Sequence, residues 1–149
     1  MTERFVLSRQ IEFNHCDPAG MVFYPRYFEM ISATVERFLA DEIDYGWTTM
    51  GASTGGFGTP MGQIDVRFSN PSYLGEWLDF SLVIKRLGRA SATFEITCSG
   101  DGKTRFVCNA TIVHAETGGG KSQPWPDAAR TRMTRFLDAS EDPEMRTPA

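Results

Sequence analysis

Apolar and polar residues alternate along much of this chain, and the period changes once to that of a helix. Phe5, Leu7, Ile11 and Phe13 fall on one face of an extended segment and Ser8, Gln10 and Glu12 on the other, which predicts a first strand over 5–13. From Pro25 the apolar residues Phe28, Ile31, Val35, Phe38 and Leu39 recur at steps of three and four, predicting a helix over 25–40 with one buried face. The second half returns to a period of two. Ile64, Val66 and Phe68 alternate with Asp65, Arg67 and Ser69, and Phe94 and Ile96 alternate with Glu95 and Thr97. Strands are predicted over 62–68, 77–87, 91–99 and 103–115, joined into an antiparallel meander by tight connections at Gly88-Arg89 and Gly100-Asp101-Gly102. Residues 41–60 have no clean period, and their glycines and Pro60 mark a long connection of a kind that often carries function. Asp127 is a candidate cap for a last short helix through Met133, Phe136 and Leu137. Beyond a single domain over 1–138, residues 139–149 read as a disordered tail.

One strand, one long helix and a run of antiparallel strands make an α+β layout in which the sheet wraps a single helix. One helix cannot cover both faces and both edges of such a sheet. Pairing with a second copy is therefore expected.

Composition narrows the function without naming it. The chain has 149 residues, 41% of them hydrophobic, enough for one domain with its own core. A net charge of -4 argues against nucleic acid as a partner, since binding a phosphate backbone needs clustered positive charge. Any anionic ligand must be met by a local patch. No apolar run is long enough for a signal peptide or a membrane span, so the expectation is a cytoplasmic protein. Cys16, Cys98 and Cys108 are an odd set at spacings that match no zinc site, and they are expected to be thiols, the last two buried on neighbouring strands.

The chemistry concentrates between Asn14 and Met30. Asp17-Pro18-Ala19-Gly20 is turn chemistry: proline sets its own φ, keeps Asp17 out of the α region, and glycine tolerates a positive φ. Pro25 suits the first turn of the helix, where its missing N–H is not needed. A carboxylate in a turn just before a helix faces free backbone N–H groups at the positive end of the helix dipole. A carbonyl between them would meet a base or nucleophile on one side and an oxyanion donor on the other. On these residues alone, an Asp before Pro is first of all a turn cap.

The run His15-Cys16-Asp17-Pro18-Ala19-Gly20-Met21-Val22-Phe23-Tyr24-Pro25-Arg26-Tyr27 closely resembles the signature of hotdog-fold acyl-CoA thioesterases of the 4-hydroxybenzoyl-CoA thioesterase group. The likeness extends more weakly through Trp47 and Gly58-Thr59-Pro60. It implies the hotdog fold, a site at a dimer interface, a homodimer at least and a homotetramer by extension, an acyl-CoA substrate, and neither cofactor nor metal. It gives Asp17 the part of nucleophile or general base and the backbone N–H at Tyr24 that of polarising the carbonyl. Trp47, with Phe57, would wall the acyl pocket, and Ser32 falls where relatives place an aspartate that contacts a substrate hydroxyl. Losing that carboxylate leaves 4-hydroxybenzoyl-CoA itself open as the substrate. Lys85, Arg86 and Arg89 would meet the coenzyme A phosphates.

Each assignment has a plainer counterpart. Trp47 reads equally as core packing, and the basic trio as a solvated edge turn that deters strand pairing. His15 reads first as a satisfied structural histidine, and Cys16 is expected to point away from His15 and Asp17. Gly118-Gly119-Gly120-Lys121-Ser122 imitates the end of a phosphate loop, but Pro124 and Pro126 prevent the helix that should follow. His114 stands alone on its strand, and no Gly-x-Ser-x-Gly elbow occurs. Two other functions stay open: a hotdog-fold dehydratase, and a non-catalytic acyl-CoA-binding module.

Overall fold

The computed structural model describes residues 2–51 and 54–139, so the predicted tail lies almost wholly outside the described residues. The strands are β1 (Phe5–Gln10), β2 (Phe57–Gly58), β3 (Met61–Phe68), β4 (Trp77–Leu87), β5 (Ser91–Gly100), β6 (Lys103–Val113) and β7 (Ala115–Glu116); the helices are α1 (Pro25–Arg37), α2 (Trp47–Met50) and α3 (Asp127–Thr134). Five strands form one antiparallel sheet in the order β1-β4-β5-β6-β3, and β2 pairs with β7 apart from it. Asp101 and Gly102 both carry positive φ, 50° and 73°, the backbone of a two-residue hairpin turn that follows the twist of β5 and β6.

Alternation puts Phe80 and Leu82 of β4, Phe94 and Ile96 of β5, and Phe106 and Cys108 of β6 into one buried cluster with Tyr27, Met30, Ile31 and Val35 of α1. This antiparallel sheet with one long helix laid against it is the hotdog layout. Cys98 and Cys108 are buried on neighbouring strands, and burial pushes both thiols up to about 12. Past Arg37 the helix widens into a π turn over Phe38–Glu42. The connection that follows holds α2 and β2, so its irregular sequence hides two short ordered pieces.

Three expectations about faces and caps fail. Phe13 is 83% exposed, because β1 stops at Gln10 and Phe13–His15 form a 3-10 turn that breaks the alternation. Phe28 is 38% exposed, while Tyr27, Met30 and Thr34 are buried: the buried stripe is rotated toward Tyr27. Asp127 is the first residue of α3 rather than its cap; Pro126 occupies the cap position and no side chain bonds there. No helix among the described residues is long and apolar enough to cross a membrane.

Candidate active site

The Asp17 motif folds as a short hairpin between β1 and α1. Its ladder is made by the Asp17 N–H donating to the Met21 carbonyl at 2.9 Å and the Phe23 N–H to that of His15 at 3.0 Å, with Cys16 and Val22 bridged between them. At the tip the Gly20 N–H donates to the Asp17 carbonyl at 3.0 Å, and Gly20 has φ of 79°, which an L side chain rarely adopts. Oδ1 of Asp17 accepts from the backbone N–H of Ala19 at 2.9 Å and of Met21 at 3.3 Å. Its second oxygen has no hydrogen bond among the described residues. One oxygen of Asp17 thus caps the turn, and the other stays unbonded among the described residues. The half-buried side chain lines a cavity of about 500 Å³ with Phe13, Cys16, Pro18, Gly20 and Leu74.

One step beyond the ladder, Tyr24 caps α1 with helical backbone, φ -52° and ψ -34°, and Pro25 follows as the first helical residue. The Phe23 N–H is spent on His15, and those of Arg26 and Tyr27 on the Phe23 and Tyr24 carbonyls. The Tyr24 N–H has no acceptor among the described residues. It is an open donor at the positive end of a helix dipole. Three steps of extended chain separate its level in the ladder from that of Asp17, about 10 Å.

The histidine and cysteine beside Asp17 both hydrogen-bond the backbone of Glu12. His15 is buried; its Nδ1 accepts the Glu12 N–H at 2.8 Å, and burial, then the Arg9 charge, lower its pKa from the ordinary value. The folded state therefore disfavours the imidazolium. His15 contributes stability that is complete above the unfolded value of about 6.5 and is lost as pH falls through the depressed folded value. Chemical denaturation at about pH 7 and pH 5 should show a larger loss for the native chain than for His15→Asn, whose amide oxygen keeps the Glu12 N–H bonded. Equal losses would mean that His15 titrates alike in both states.

Cys16 lines the same cavity as Asp17, where the opposite face was expected. Its thiol donates to the Glu12 carbonyl at 3.5 Å, and its pKa is raised by burial and then by Asp17.

The remaining sequence-predicted residues divide between two ends of the molecule. Ser32 is exposed on α1, two turns from Tyr24 and in line with Phe28, so the three form one outward stripe starting at the open donor. Trp47 and Phe57 lie at the far end: the Trp47 indole N–H donates to the Thr59 hydroxyl at 2.8 Å, and Phe57 stacks on His114 with centroids 4.9 Å apart. Lys85, Arg86 and Arg89 flank the β4–β5 turn at that same end, where the Trp125 N–H donates to the Arg89 carbonyl at 3.0 Å. One chain thus joins Asp17, Tyr24 and Ser32 but not the aromatic wall or the basic trio. His114 is not alone: buried, it shares a hydrogen bond of 2.7 Å with the Tyr45 hydroxyl and one of 2.8 Å with the Gln123 carbonyl. Among the described residues no group of three His, Cys, Asp or Glu could hold a metal ion.

Other residues also stand around Asp17. Leu74 and the exposed Phe13 join its cavity, and Met21, Val22, Tyr27 and Phe68 line a second, about 300 Å³, beside the other hairpin arm. Met21, Val22 and Tyr27 fall within the His15–Tyr27 run, whereas Phe13, Phe68 and Leu74 are brought in by proximity in the fold alone.

A family model described as the thioesterase-like superfamily matches residues 11–133. A thioesterase-superfamily structure from Jannaschia sp. CCS1 is 26% identical, covers 93% of this chain and 99% of its own, and superposes with a TM-score of 0.81. A 1,4-dihydroxy-2-naphthoyl-CoA thioesterase from Synechocystis is 20% identical over 89% of this chain and 96% of its own, with a TM-score of 0.79. A Staphylococcus aureus protein solved in complex with CoA is 12% identical over 100% and 95%, with a TM-score of 0.84. A search of curated sequences finds no match.

Proposed function

Since the chain belongs to the thioesterase-like superfamily, we propose that it hydrolyses an acyl-CoA or aryl-CoA thioester to the free acid and coenzyme A. The observation that carries this is the divided Asp17 carboxylate, one oxygen held by two backbone amides and the other unbonded, on a residue that lines a cavity of about 500 Å³, with the open Tyr24 N–H one residue past the same hairpin. In this reading the unbonded oxygen attacks the acyl carbon or takes a proton from a water that does. The carbonyl oxygen, as it gains charge, is met by the Tyr24 N–H. The carbon–sulfur bond then breaks and the electron pair leaves with sulfur as thiolate, so no strong acid is required; on the covalent route a water then hydrolyses the acyl–Asp17 anhydride, releasing the acid and restoring the carboxylate. The naphthoyl-CoA relative and the relative solved with CoA support a coenzyme A thioester as the substrate class.

The partner-dependent half of the site belongs to the same proposal. Trp47, Phe57, Lys85, Arg86 and Arg89 would reach Asp17 from a second copy of the chain, in a homodimer or a tetramer built from two. The edge strand β3, mostly exposed, and the outward stripe Tyr24, Phe28 and Ser32 support such pairing. A cytoplasmic location fits a coenzyme A substrate.

Thiol release measured over a panel of aryl and straight-chain acyl-CoAs tests the reading. Free thiol with stoichiometric acid supports it, and with Ser32 in place of a carboxylate, benzoyl-CoA should be cleaved about as well as 4-hydroxybenzoyl-CoA. Enoyl product from a 3-hydroxyacyl thioester would indicate a dehydratase. Tight binding without release over hours would indicate a binding module.

A further inference from the structure

We propose that Arg105 is a positioning residue for thioester hydrolysis, a clamp that fixes the Asp17 hairpin and the start of α1 relative to one another through the connection between β3 and β4. This rests on the catalytic reading of Asp17. Arg105, near the start of β6, is 3% exposed. Its Nη1 donates to the Pro71 carbonyl at 2.8 Å, to the Ser72 hydroxyl at 3.2 Å and to Glu76 Oε1 at 3.1 Å; Nη2 donates to Glu76 Oε2 at 3.0 Å and to the Gly100 carbonyl at 2.9 Å. The ion pair lowers the Glu76 carboxyl and raises the guanidinium.

What the guanidinium holds is what holds the site. The Val22 N–H donates to the Ser72 carbonyl at 2.9 Å, and the Leu74 N–H donates to the carbonyl of Gly20 at 2.9 Å, so the returning arm and tip of the Asp17 hairpin hang on the clamped segment. The Ile11 N–H donates to the Glu76 carbonyl and the Gly75 N–H to that of Ile11, both at 2.8 Å, anchoring the chain just before the hairpin. Ser72 also lies close enough to the phenol of Tyr27, in the first turn of α1, to favour its ionised form. Thus one cation touches, through a single intervening residue each, the strand bearing Asp17 and the helix start bearing the open N–H.

Burying a cation is a poor way to gain stability, because its desolvation offsets the Coulombic gain and an apolar residue often serves as well. A planar fork that satisfies three backbone or side-chain oxygens and a bidentate carboxylate instead fixes geometry. Lysine cannot reproduce that pattern.

Arg105→Lys and Glu76→Gln, each in the native and the Asp17→Asn background, test the assignment by kcat, KM and circular dichroism. In folded protein, Arg105→Lys should lower kcat about 10–100-fold with KM within about threefold, the signature of displaced reacting groups. With Asp17 already replaced, the same change should alter the residual rate less than about twofold, since there is no carboxylate left to position. Undiminished kcat in folded Arg105→Lys overturns the clamp and leaves Asp17 untouched; so does an equal fall in both backgrounds, which marks a purely structural residue. Should Arg105→Lys not fold, the decision passes to Glu76→Gln, where full kcat overturns the clamp and a kcat loss confined to the native background supports it. An Asp17→Asn chain with native turnover removes the catalytic premise itself.

Discussion

Asp17→Asn is expected to lower thioester turnover about 10²–10⁴-fold while leaving the melting transition in place. The expectation follows from how the carboxylate is divided. Asparagine keeps an amide oxygen where Oδ1 accepts the Ala19 and Met21 N–H groups, so the turn closed by Gly20 retains its cap. It removes only the charge and basicity of the second, unbonded oxygen. A nucleophile and a general base both need that charge, so the substitution tests Asp17 without choosing between them. Steady-state thiol release beside a thermal melt checks it. Turnover preserved in the Asn variant would show that the carboxylate is a cap and nothing more.

The sheet and the helix were legible because each strand from β3 to β6 has one apolar face, and alternation survives any error in its ends. The faces of single residues were not. Phe13 continues the apolar alternation of β1 in sequence, yet the 3-10 turn after Gln10 puts it in solvent beside Asp17, a change of backbone that periodicity cannot register. Phe28 and Tyr27 are adjacent aromatics in the first turns of α1, and only the packing of Tyr27 against Phe106, centroids 5.0 Å apart, decides which goes inward. The local backbone of the candidate site was legible because Asp17, Gly20, Tyr24 and Pro25 are neighbours in sequence, and turn and cap preferences act over a few residues. Arg105 was not, because its partners Pro71, Ser72 and Glu76 come from a distant connection and nothing in Lys103-Thr104-Arg105 separates a buried cation from an exposed one. Trp47 and Phe57 pose the opposite case. Their aromatic character was plain, but the single chain seats them at the other end of the helix from Asp17.

That separation of ends makes a second large effect informative. Phe38→Ala is expected to cost about 3–5 kcal/mol of stability, a large share of the about 5–15 kcal/mol a domain possesses. Phe38 is fully buried where α1 widens into the π turn, and its ring meets Phe5 at 5.8 Å, Phe94 at 5.8 Å and Phe136 edge-on at 4.9 Å. Those partners belong to β1, β5 and the segment after α3, so removing the ring opens a void among elements fixed by their own hydrogen bonds, which cannot close around it. Denaturant titration should place the midpoint far below that of the native chain with an unchanged slope. Yet Tyr24 is fourteen residues earlier, about 20 Å along the helix axis, and the Asp17 hairpin is anchored at that same end. At a temperature where the variant remains folded, kcat per folded molecule should therefore stay within about threefold of native. A collapse of kcat in folded protein would mean instead that the seating of α1 along its whole length sets the gap between the Asp17 carboxylate and the Tyr24 N–H.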